Sequence, residues 1–175
     1  MVPVVRKIVA ALALLAACGG SALAAPLDEA LLYLRGGPGV SVDLPKAFSL
    51  FASAARDGDA YAAYHLGMMY QNGMAVARDS KAAARWLQFA ASRQIPAAMF
   101  ALANLYLSGD GVKRDEQAAG RLIEKASDLE YPDAVMAMAI GLRDGSMGFE
   151  RNEALAETQM RFANRALKQR ATNGM

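Results

Sequence analysis

Tyr70-Gln71-Asn72-Gly73 returns 36 residues later as Tyr106-Leu107-Ser108-Gly109. Equal steps either way from Gly73 land on Gly37, Gly109 and Gly145. Val40, Val76 and Val112 keep the same step, and Gly148 breaks it. Asp43, Asp79 and Asp115 follow, with Arg151 in the fourth place; then Ala47, Ala83, Ala119 and Leu155; then Ala54, Ala90, Ala126 and Phe162. A fixed period of this length marks a solenoid, in which each unit buries its apolar face only against its neighbours.

Each period reads as two helices. Leu27, Leu31 and Leu34 share one helical face, and Gly36-Gly37-Pro38-Gly39 ends that helix, because glycine tolerates a left-handed stop and proline cannot continue the ladder. Asp43 is placed to cap the next helix by accepting a free backbone N–H. That helix spans about 44–56, with Ala47, Leu50, Phe51, Ala54 and Ala55 on its apolar face. The pattern then repeats: helices over 60–71 and from Asp79 to about 92; over 96–107 and from Asp115 to about 129; over 132–143 and about 151–168. The units are expected at about 25–59, 60–95, 96–131 and 132–168, within a repeat domain of 25–170 followed by a 171–175 tail. Short turns make successive helices antiparallel neighbours. Gly67, Ala103 and Ala139 occupy equivalent positions where a small residue lets two axes approach closely.

The chain has 175 residues, enough for one domain or one short array. Aromatic residues are only 7%, while alanine and methionine are abundant, which favours packed helices over a β-sandwich. Residues 1–24 read as an export signal: Arg6 and Lys7, then an apolar run from Ile8 to Ala17 that is short for a membrane span. Two processing routes remain open. Ala22-Leu23-Ala24 is a secretory site that leaves Ala25 first; Leu15-Ala16-Ala17-Cys18-Gly19 resembles a lipobox, with Cys18 lipidated. Cys18 is the only cysteine, so it has no intramolecular disulfide partner. Removing residues 1–24 removes two bases and no acid, leaving 17 of each; no basic excess points to nucleic acid. Arg161, Arg165, Lys168 and Arg170 near the end suit the last helix's dipole, and a membrane surface is the competing reading.

The units resemble Sel-one-like repeats (SLR), relatives of tetratricopeptide repeats. The second unit carries the pattern at Ala62, Leu66, Gly67, Tyr70, Gly73, Val76, Asp79, Ala83, Trp86, Ala90 and Ala91. The third carries it at Ala98, Leu102, Tyr106, Gly109, Gly111, Val112, Asp115, Ala119 and Ala126. The first matches from Gly37 to Ala55 after a short opening helix. The fourth departs most, with Gly148, Arg151 and Thr158 in the valine, aspartate and tryptophan places, as expected of a terminal repeat. The resemblance implies an all-α fold, a right-handed α/α solenoid of four 36-residue helix-turn-helix repeats that binds proteins or peptides. By its register the first helix of each pair lines the concave surface. That assigns Tyr61, Tyr64, Met68 and Gln71 in the second unit, Phe100, Asn104 and Leu107 in the third, and Met136, Ile140 and Arg143 in the fourth. The competing reading of Tyr64, Phe100 and Met136 is core between units.

No nucleophile–base motif, metal-ligand spacing or cofactor motif occurs in the sequence. His65 is the only histidine and reads as a helix residue beside the groove. Gly109-Asp110-Gly111 reads as a turn, and Asp57, Asp59, Asp110, Asp128 and Asp133 as turn residues. Disulfide-rich secreted SLR proteins have been linked to β-lactam binding or hydrolysis, but this chain lacks their paired cysteines. The expected function is therefore that of a non-enzymatic, exported scaffold for a protein or peptide in the periplasm or cell envelope, lipid-anchored if Cys18 is used. The alternative is an envelope hydrolase acting on a cell-wall-like or β-lactam substrate. Gly67→Leu is expected to lower stability by about 1–3 kcal/mol through overpacking, read from a thermal melt.

Overall fold

In the computed structural model, residues 24–173 are described; the leader with Cys18 and the side chains of Lys168 and Arg170 lie outside what is described. Eight α-helices follow one another: α1 Ala24–Arg35, α2 Leu44–Arg56, α3 Ala60–Asn72, α4 Ser80–Ser92, α5 Pro96–Ser108, α6 Glu116–Asp128, α7 Pro132–Asp144 and α8 Glu153–Asn173. Each packs on the helix before and after it, so four helix pairs stack in chain order. The last helix starts two residues later than the sequence reading and runs past the boundary at 170.

The helix ends follow from local chemistry. Asp43, Asp59, Asp79 and Asp115 each accept a hydrogen bond from the backbone N–H three residues on, at 2.8–3.0 Å. α5 and α7 open instead on Pro96 and Pro132, whose missing N–H costs nothing in a first turn. Gly73, Gly109 and Gly145 close α3, α5 and α7 in the left-handed conformation, each donating its N–H to the carbonyl four residues back.

The outer units depart from the strict step. In the first, the left-handed stop whose N–H returns to the Leu32 carbonyl is Gly36, not Gly37. In the fourth, Asn152 and not Arg151 takes the capping place: its side chain accepts from the Leu155 N–H at 3.0 Å, and its own N–H reaches the Leu142 carbonyl. That last bond matches Asp79 to Tyr70 and Asp115 to Tyr106. Each outer turn therefore holds one extra residue. Shifted by one, the fourth unit fits the pattern better than its 36-residue step suggests. Phe149 fills the valine place, while Ala156 and Ala163 are buried like Ala83 and Ala90. Gln159 replaces Thr158 in the tryptophan place.

Close approach is concentrated at two kinds of position. Within a unit, a Cβ on Gly67 would lie 2.9 Å from the Leu87 Cγ of α4, which is the expected reason for a small residue there. Between units, the turn of one pair sits on the first turn of the preceding pair's second helix. A Cβ on Gly111 would overlap the Ser80 carbonyl, and one on Gly148 the Glu116 carbonyl. Arg78 donates to Asp110 across the first of these junctions, and Ser80 with Arg78 holds the Asp110 carboxyl below its ordinary range. Ala75 occupies the corresponding place one unit earlier, also at positive φ, with its side chain exposed.

The first and last helices each carry an exposed glutamate at a place that is buried in the inner units. Leu66, Leu102 and Met138 are buried, but the equivalent residue of α1 is the exposed Glu29, 3.6 Å from Lys46. At the other end, Glu157 stands where Ala84 and Gly120 are buried; a Cβ on Gly120 would already lie 2.7 Å from the Met147 carbonyl of the next turn. Gly111→Ala is expected to cost about 2–5 kcal/mol, combining left-handed strain with a backbone clash. Ala75→Gly, which relieves strain without a clash, should instead raise stability by about 0.5 kcal/mol. Chemical denaturation of the two variants checks the pair; equal effects would contradict the junction described.

Candidate functional site

The first helices α3, α5 and α7 carry the predicted row at matching phases. Tyr61 is 57% exposed and Asn104 and Arg143 are exposed, while Tyr64, Met68, Gln71, Phe100, Leu107, Met136 and Ile140 are half-buried. Tyr64, Met68, Phe100 and Leu107 rest on the buried core with part of each side chain open to solvent. The alternatives of core and groove thus merge, since the same residues serve packing with one side and present the other. The Gln71 Oε1 is buried without a hydrogen-bond partner among the described residues, an arrangement that ordinarily costs about 1–3 kcal/mol.

Burial pushes the Tyr64 phenol up, and the carboxylate of Asp133 pushes it further. Tyr64 is on α3 and Asp133 is the second residue of α7, two units on. At the same end the Phe100 ring lies 5.8 Å from that of Tyr131, which precedes α7. The structure therefore pairs Phe100 with Tyr131, and Asp133 acts on the Tyr64 phenol from two units on. Sequence reasoning missed Tyr131 and read Asp133 only as a turn acid. Their position beside a proline at a helix start was the sole local signal, and it speaks of capping, not of neighbours two units away.

Arg143 lies elsewhere. It lines an open cleft of about 740 Å³ between α7 and α8, with Asp144, Arg151, Glu153, Glu157 and Met160, and its guanidinium is paired with Asp144 at 2.8 Å. A smaller cleft of about 330 Å³ between α4, α5 and α6 has Met99, Leu102, Tyr106 and Leu122 among its walls and Arg121 and Lys125 at its edge.

His65 stacks on Phe51 of the first unit, with centroids 5.0 Å apart and planes 21° from parallel, and touches Tyr64 at 5.1 Å. Burial lowers its pKa, Arg35 lowers it further, and Asp59 opposes them. It therefore ties the first unit to the second as a neutral ring. Among the described residues no group of three or more acidic, histidine or cysteine side chains could hold a metal, and no helix is long and apolar enough to cross a membrane. Because folding lowers the His65 pKa below its unfolded value near 6.5, the unfolded chain takes up the proton first. Stability is unaffected by this group above that pH and falls as pH drops from there through the folded value. Thermal melts between pH 7.5 and 5.5 should show this loss in the wild type, and His65→Phe should flatten it.

Three Sel1 repeats are matched, at residues 22–59, 60–94 and 96–131; the fourth helix pair lies beyond the match. Among solved structures, a protective antigen of uropathogenic Escherichia coli strains with an SLR fold is 28% identical, with a TM-score of 0.77 over 82% of this chain and 30% of its own. A Sel1 repeat protein from Oxalobacter formigenes is 26% identical, with a TM-score of 0.75 over 82% of this chain and 58% of its own. A curated relative, a chitin synthase regulator of Saccharomyces cerevisiae, is 37% identical over 59 residues, 34% of this chain and 8% of that protein. The chain thus spans only part of the length of these three proteins. Sel1 repeat proteins generally act as scaffolds for protein–protein interaction. With its repeats matched over more than half its length, on a fold shared with solved SLR proteins, this chain belongs to the Sel1 repeat family.

Proposed function

We propose that this protein is an exported, non-enzymatic scaffold that holds a protein or peptide along the face formed by α3, α5 and α7. The observation that carries the reading is the aromatic and apolar row on that face. Tyr61 is more than half exposed, and Tyr64, Met68, Phe100 and Leu107 stay partly open although they pack on the core. An apolar surface with a few polar groups suits an extended or helical segment. Tyrosine is a favoured anchor type in interfaces, and methionine adapts to irregular partners.

The export reading rests on the Arg6-Lys7 start, the Ile8–Ala17 apolar run and the cleavage sites that follow. It places the work of the scaffold in the periplasm or cell envelope. Processing before Cys18 would add a lipid anchor, and stable anchoring needs more than one acyl chain. Mass analysis of the mature protein distinguishes acylated Cys18 from a free Ala25 terminus, and an intact Met1 would sink the export reading.

The binding face is tested with Tyr64→Ala and Phe100→Ala. Capture of partners from envelope extract by wild type and by each variant should show losses of tenfold or more, the order expected for anchor residues, with melts still cooperative. Undiminished capture by folded variants would overturn the assignment, and loss of the cooperative melt would make these residues core alone.

A further inference from the structure

We propose that the cleft of about 330 Å³ between α4, α5 and α6 is a second docking site, which takes an apolar side chain flanked by carboxylates from an acidic segment of a partner protein. It uses another face of α5 than the row described above. Met99, Leu102 and Tyr106 line the cleft, whereas Phe100, Asn104 and Leu107 belong to the row, roughly a third of a turn round the helix. The inference therefore goes beyond the scaffold reading and stands without it. Met99 and Leu102 are buried, and Tyr106 and Leu122 are half-buried, so the floor is apolar. Arg121 and Lys125 line the cleft one turn apart on α6; both are exposed, and neither has an ion pair among the described residues. No acid is among the described residues that line it.

Two exchanges set this junction apart from the one before it. Leu122 stands in the place of Trp86, and Lys125 in the place of Phe89, one period on. Trp86 and Phe89 meet edge to face with centroids 6.5 Å apart, and both rest half-buried on the core. Where those rings fill space, a leucine and a flexible lysine leave it open. Two further exchanges unbalance the charge. Gln88 and Ser92 line the cleft from α4, while the equivalent residues of α6 are Glu124 and Asp128, which are not among its lining residues. Arg121 and Lys125 thus meet an apolar floor and a neutral opposite wall. A partner's apolar side chain gains by leaving water for that floor, and a carboxylate beside it reaches cations that have no ion-pair partner. A lysine or arginine there would meet like charge, which disfavours wrong partners. The volume lies at the lower end for ligand sites and suits one side chain. Lys125, in the last turn of α6, also complements that helix's dipole, but Arg121 lies too far from the end to do so.

The test uses four libraries of synthetic peptides, identical except for three fixed central residues: Glu-Leu-Glu, Gln-Leu-Gln, Lys-Leu-Lys or Glu-Ala-Glu. Retention on the purified protein is expected to favour Glu-Leu-Glu over Gln-Leu-Gln by about five- to tenfold, the order of two partly exposed ion pairs. It should favour Glu-Leu-Glu over Glu-Ala-Glu by about tenfold, with Lys-Leu-Lys weakest. The first preference should shrink as salt rises. Arg121→Gln combined with Lys125→Gln should bring Glu-Leu-Glu down to the Gln-Leu-Gln level, with the melt still cooperative because both sites are exposed. Leu122→Trp combined with Lys125→Phe copies the pair that the preceding unit already holds, and should abolish retention of Glu-Leu-Glu by filling the cleft. If this filled variant loses its cooperative melt, the glutamine pair decides. Equal retention of Glu-Leu-Glu and Gln-Leu-Gln by wild type, a preference that survives the glutamine pair, undiminished retention by the folded filled variant, or no retention of any library overturns the inference. Loss of the preference in folded Tyr64→Ala overturns it too, because the acid would then be read on the face of α3, α5 and α7.

Discussion

The stack depends on backbone seated on backbone. Where the turn of one unit meets the first turn of the preceding second helix, there is no room for a side chain at Gly111 or Gly148. Both residues are also left-handed, so one glycine meets a conformational and a steric demand at once. Such a contact transmits geometry more strictly than a contact between flexible side chains. It fixes how the third pair sits on the second and the fourth on the third, whereas at the first junction the Ala75 side chain has room. Gly67 and the buried alanines play the matching part inside each unit, bringing helix axes together so that Leu66, Leu87, Leu105 and Ile123 are buried.

A surface built to stack has to be stopped. Glu29 and Glu157 occupy places that are apolar or small in the inner units, and each finds an opposite charge nearby, Lys46 and Arg161. A carboxylate there would lose its hydration if another repeat docked in the same manner. The extra residue in each outer turn lies in the same two units. The array thus keeps a regular centre and confines its irregularities to the ends.

The candidate face shows how one residue serves both stability and recognition. Tyr64 and Phe100 pack their inner edges on the core, and this support holds their outer faces in place without cost at the moment of binding. His65, immediately after Tyr64, stacks on Phe51 and meets the Tyr64 ring at 5.1 Å, fastening the first unit beside the face.

The repeat, the helix pairs, the aspartate caps and the glycine stops of the inner units were all legible in the chain, because each depends on residues within one turn of one another. The candidate row on α3, α5 and α7 was legible for the same reason once a repeat was assumed. Three things were not. Gly36 in place of Gly37, and Asn152 in place of Arg151, follow from which backbone group reaches a carbonyl in the folded turn; a one-residue insertion leaves the flanking helices intact and hides behind a nearly constant period. The split of Tyr64 and Phe100 between core and opening depends on how far neighbouring axes stand apart. The action of Asp133 on the Tyr64 phenol joins residues two units apart, a relation that no single segment contains.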